Sequence, residues 1–134
     1  MKTLKFLLLV ISLITLNCCI TMEKDEQPDS YFVLTNSSNE DIFIHSKISN
    51  NTVGLDYFPA SPTDIVSVGK KYNQPISNIS FKDGNKLWIL VYKQSTLDSH
   101  TWQEIKDQGL YDKRYDFTLE QLKAINYEIV YTGN

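Results

Sequence analysis

Apolar and polar positions divide the chain into an unbroken apolar run at 6–16 (FLLLVISLITL), a charged stretch at 20–30 (ITMEKDEQPDS), and a long remainder. In the remainder, short β-branched and aromatic runs alternate with turn residues, which predicts strands. Residues 31–35 (YFVLT) and 42–45 (IFIH) predict a hairpin across the polar segment 36–40. Residues 53–58 predict a weaker strand closed by Pro59 and Pro62, and 64–68 (DIVSV) another ended by Gly69. Residues 72–81 fit no single period, and Pro75 argues against a central strand there.

The strongest element is 87–92 (LWILVY). Alternation places Leu87, Ile89 and Val91 on one side and Trp88, Leu90 and Tyr92 on the other. Both sides are apolar, which predicts a central strand covered on both faces. Two short helices are expected after it. Thr101 and Glu104 have capping-box spacing, with Gly109 as the stop, and Thr118 and Gln121 repeat the device, with Asn126 as the stop. Between them, 113–117 (KRYDF) can extend, with Tyr115 and Phe117 on one side and Arg114 and Asp116 on the other. Residues 127–131 (YEIVY) close the domain, with Tyr127, Ile129 and Tyr131 expected inward. The sum is a mainly β fold, an antiparallel β-sandwich of immunoglobulin-like architecture with two short helices near the C-terminus.

The N-terminal run has a positive flank, Lys2 and Lys5, and as a helix it measures about 16 Å, too short for a bilayer core of about 30 Å. It reads as a signal peptide, residues 1–17. The following Asn17-Cys18-Cys19 resembles a bacterial lipobox. Cys18 is the expected lipidation site, with Cys19 as the alternative, and acyl chains there would anchor the protein to a membrane. Residues 18–30 then form a lipidated, flexible tether, and 31–134 a single β-rich domain. Lys24-Asp25-Glu26 resembles the surface-export signal of some Bacteroidetes lipoproteins, and a solvated linker is the equally simple alternative.

Composition narrows the functional classes. Thirteen Lys+Arg against sixteen Asp+Glu give a net charge of −3, which disfavours nucleic-acid binding. Loss of Lys2 and Lys5 with the signal would make the chain more acidic, so attachment to an anionic membrane would rest on lipid. The adjacent cysteines cannot staple the domain. His45 and His100 lack metal-site spacing, and Asp98 and His100 read as members of a solvent-facing loop. No nucleophile elbow or phosphate-binding glycine array occurs. No catalytic residue, metal or cofactor is expected. Eight tyrosines and two tryptophans exceed what a small core needs. Tyr57, Phe58, Tyr72 and Tyr111, in loop-like contexts, are candidates for contact with a glycan or protein partner, or for capping the sandwich ends.

The segment 87–131 resembles the C-terminal half of a family of small uncharacterised Bacteroidetes cell-envelope lipoproteins. The resemblance rests on the apolar strand, Trp102 and Ile105, the run Lys113-Arg114-Tyr115-Asp116, then Thr118, Leu119, Glu120, Leu122 and Ile129. Tyr127 stands where Trp is usual, and Thr132-Gly133 replaces a terminal Pro. The resemblance implies a lipoprotein of the bacterial cell envelope and carries no activity with it; the outer membrane is the expected location, with surface exposure an added expectation. The expected function is a non-catalytic binding or accessory module of the cell envelope. A small inhibitor or immunity-type protein acting on an envelope enzyme or toxin is the alternative.

Overall fold

The computed structural model describes residues 28–50 and 64–134. Among the described residues, seven strands form two sheets: β1 (Ser30–Asn36), β2 (Ile42–Ser49), β3 (Asp64–Val66), β4 (Lys71–Ile76), β5 (Lys86–Lys93), β6 (Lys113–Phe117) and β7 (Glu128–Tyr131). One sheet has the order β4-β1-β7 and the other β3-β2-β5-β6. Between them lies a core of Phe32 and Leu34 from β1, Ile42 and Ile44 from β2, Leu87, Ile89 and Val91 from β5, and Ile129 and Tyr131 from β7. The mainly β, two-sheet expectation therefore holds.

Two parts of that expectation do not. The segments 31–35 and 42–45 are not a hairpin, because β1 and β2 lie in different sheets. The reason is Asn36, a buried amide that turns the chain out of one sheet and into the other. Its Nδ2 donates to the carbonyls of Glu40 and Val66 at 2.9 and 2.8 Å, while its Oδ1 accepts from the Ser38 backbone N–H and hydroxyl. The Ser38 hydroxyl also donates to the Glu40 carbonyl at 3.0 Å, so the corner is a small closed network that satisfies buried backbone groups. Nor is the sandwich wholly antiparallel: β1 and β7 pair in parallel, Leu34 opposite Ile129 and Asn36 opposite Tyr131. An immunoglobulin-like topology is not confirmed by these strand orders.

Strand β5 is covered on both faces, as its pattern requires. Leu87, Ile89 and Val91 enter the inter-sheet core, while Trp88, Leu90 and Tyr92 are buried on the outer side. Pro75 is accommodated because β4 is an edge strand, where a missing N–H costs no ladder bond.

Three short α-helices follow β5 rather than the expected two: α1 (Gln94–Ser99), α2 (Trp102–Gln108) and α3 (Leu119–Ala124). Both capping boxes form, Thr101 with Glu104 and Thr118 with Gln121. Gly109 ends α2 in the left-handed region (φ 66°), which glycine enters without strain. Asn126 and Tyr127 also have positive φ, so Tyr127 belongs to the turn before β7 and only flanks the core. Two short 3-10 turns cross Asn78–Gly84, broken at Lys82 and Asp83.

Candidate functional site

The outer face of the four-stranded sheet carries a second apolar cluster. Leu90 and Tyr92 of β5 meet Ile105 of α2, with Phe43, Leu97, Trp102 and Leu110 packed around them. Register places Phe43 on β2 directly opposite Tyr92. Helices α1 and α2 lie against this face without filling it. A cavity of about 310 Å³ remains, with Phe43, Leu97, Trp102 and Ile105 as its apolar lining and Gln94, Asp98 and His100 as its polar rim. That volume is at the small end for ligand sites, which run from about 300 to 1,000 Å³.

The rim is held by bonds from distant parts of the chain. Helix α1 has no side-chain cap of its own. Instead the Asp112 carboxylate accepts from the Lys93 backbone N–H at 2.7 Å and from the Thr96 hydroxyl at 2.8 Å. The Glu40 carboxylate accepts from the Ser95 N–H at 2.9 Å. Bonds from Ser95 hold the Glu40 carboxyl below the usual glutamate range. Carboxylates at the first turn of a helix satisfy its orphan donors, whichever part of the chain supplies them.

On α1, Gln94 and Asp98 stand one turn apart, and Gln94 Nε2 donates to Asp98 Oδ1 at 2.7 Å. His100 Nδ1 lies 3.2 Å from the Thr96 carbonyl. A carbonyl only accepts, so Nδ1 carries the proton in that bond. Trp102 stands at the start of α2, placed by the Thr101–Glu104 box, and meets Tyr92 edge-on with centroids 5.6 Å apart. The indole N–H of Trp102 and the hydroxyl of Tyr92 are buried without partners. Burial, with the nearby Tyr111 adding to it, pushes the Tyr92 phenol well above its ordinary value.

Two of the aromatic residues singled out in the sequence are described, and neither lines the cavity. Tyr72 lies in β4, not in a loop, with its ring 6.1 Å from that of Phe32. Its hydroxyl donates to Asp64 and Gln74 at 3.4 and 3.3 Å, and its ring packs against the core. Tyr111 does stand exposed, in the connection between α2 and β6. Tyr57 and Phe58 lie outside the described residues, as do Cys18, Cys19, Lys24, Asp25 and Glu26 and the strand expected at 53–58. Asp98 and His100 were legible as neighbours; the cavity that gives them a common rim was not. His45 is half-buried on the same sheet face, one pair along from Phe43, and burial lowers its pKa.

Among the described residues no group of His, Cys, Asp and Glu is arranged to hold a metal ion, and no helix is long and apolar enough to cross a membrane. Asp112 serves as a backbone acceptor for Lys93, and Lys86 lies 3.9 Å from the Asp116 carboxylate. No family model, curated protein or solved structure matches the chain.

Proposed function

We propose that this protein is a lipid-anchored cell-envelope module that binds a partner or ligand and performs no chemistry on it. The observation that carries the binding reading is the aromatic cavity on the outer sheet face, walled by Phe43 and Trp102 and rimmed by Gln94, Asp98 and His100. Concave apolar sites with a few convergent polar groups are the usual form of a ligand site. Its rim groups are tied into their own helix, Gln94 to Asp98 and His100 to Thr96, an arrangement suited to recognition. An immunoglobulin-like architecture is part of the proposal, with the parallel β1–β7 pair as its departure.

The anchoring half rests on the sequence: a short apolar run, then Cys18 and Cys19, then a charged tether. The resemblance of 87–131 to Bacteroidetes lipoproteins supports the same location, an outer-membrane lipoprotein exposed at the cell surface. Labelled palmitate fed to the producing cells is expected to appear in the wild-type chain and to be lost in Cys18→Ser. Absence of label from the wild type would remove the anchor from the proposal. For binding, wild-type protein and Asp98→Lys are compared as baits in solubilised envelopes. A partner or ligand retained by the wild type alone supports the cavity as the site, and equal retention contradicts it.

A further inference from the structure

The polar rim of the cavity sets one carboxylate, Asp98, beside the Gln94 amide and the His100 imidazole, above an aromatic lining. Asp98 Oδ1 is occupied by Gln94 Nε2, which leaves Asp98 Oδ2 and Gln94 Oε1 with no bond from a described residue. His100 Nδ1 is engaged with the Thr96 carbonyl, and Gln94 Nε2 keeps a second N–H. Trp102, on the lining, has its Nε1 buried without a partner. A carboxylate oxygen and an amide oxygen thus stand above aromatic walls. An anion would be repelled by Asp98, and a neutral sugar would leave that charge unmatched. An organic cation satisfies every term: its N–H groups fill acceptors, its charge meets Asp98, and its stem and cationic head pack on Phe43 and Trp102. The same sheet face already stacks one such group internally, with the Arg114 guanidinium 4.5 Å from the Trp88 ring centroid.

We infer that the cavity between α1, α2 and the outer sheet face binds an alkylammonium or alkylguanidinium group, carried either by a free amine or by a Lys or Arg side chain of a partner. This rests on the cavity being a binding site and narrows what it takes.

The test is a titration of the full-length protein, followed by the indole N–H resonance of Trp102, with butylammonium, butylguanidinium, butanol and methyl glucoside. A blocked tripeptide with a central Lys or Arg separates the two sources: tighter binding of the peptide points to a side chain, and tighter binding of the simple amine to a free ligand. Saturable shifts with a cationic probe are expected, with affinity falling about tenfold in Asp98→Asn and rising in Gln94→Glu. Asp98 is exposed on α1, so its exchange for Asn leaves the fold intact. Equal response to butanol and butylammonium, no response to any cation, or cation binding unchanged in Asp98→Asn would overturn the inference. A response to methyl glucoside alone would overturn it while leaving the cavity as a binding site.

Discussion

The guanidinium carbon of Arg114 sits over the indole of Trp88, 4.5 Å from its centroid, while Trp88 Nε1 donates to the Ser49 carbonyl at 3.0 Å. One residue of β6 and one of β2 thereby cover the outer end of β5, which α1 and α2 do not reach, and Trp88 is only 8% exposed. Trp88→Ala is expected to cost about 3–5 kcal/mol, as for other large buried aromatics. Arg114→Ala is expected to cost about 1 kcal/mol, and a double-mutant cycle by urea denaturation should show coupling between them. Additive losses would mean that the stacking contributes nothing beyond burial.

Asn36 holds the corner that sends the chain from one sheet to the other. Its replacement by Leu would fill similar volume yet remove the side-chain partner of the Val66 carbonyl and of the Ser38 N–H, and leave the Glu40 carbonyl only the Ser38 hydroxyl. A loss of about 3 kcal/mol or more is expected, since each orphaned buried group costs about 1–3 kcal/mol. Equilibrium denaturation measures it, and Asn36→Asp, which keeps only the acceptor, should also be destabilised.

The hydroxyl of Tyr131 is buried in the core without a partner. Burial, and then the charges of Asp112, Tyr115 and Glu40, push its pKa up to about 12. A raised phenol pKa means that above about pH 10 the unfolded chain releases a proton the folded chain retains, so stability falls as pH rises through that range. Tyr131→Phe is expected to be as stable as the wild type or more so at pH 7, and to lose less stability between pH 10 and 12. Thermal melts across that range decide it.

The Thr101 capping box carries an acid-side dependence. Hydrogen bonds from the backbone and hydroxyl of Thr101 hold the Glu104 carboxyl below its ordinary value. A lowered carboxyl pKa gives stability that is present above the unfolded value and lost as pH falls through the folded one. Thr101→Ala should return the Glu104 carboxyl toward its ordinary value in an NMR titration and cost about 1 kcal/mol at neutral pH. The same substitution would loosen the placement of Trp102, so the indole resonance should shift as well.

Much of the fold was legible wherever the cause is local. Residues 87–92 read as a strand buried on both faces because both alternating sets are apolar, and both capping boxes follow from spacings of three. Tyr115 and Phe117 do share a side, with rings stacked 5.8 Å apart. What escaped was set at a distance. Helix α1, of sequence QSTLDS, is capped by Asp112 and Glu40, and the Glu40–Ser95 bond spans 55 residues. The parallel β1–β7 pair joins the two ends of the domain, and no local pattern announces it. The turn 36–40 looked like a hairpin loop because Asn and Ser serve loops and corners alike; the corner depends on Val66, thirty residues away. The cavity needed α1 in place before Asp98 and His100 could be seen to share a rim with Phe43.

Site-specific photo-crosslinking in the producing cells tests the binding account most directly. A photoreactive amino acid at Leu97, on the cavity wall, is compared with one at Val130, exposed on the outer face of the opposite sheet. The account predicts a discrete crosslinked species from position 97 that is absent at position 130 and lost when Asp98→Lys is added. Crosslinks of equal yield from both faces, or none from position 97, would contradict it.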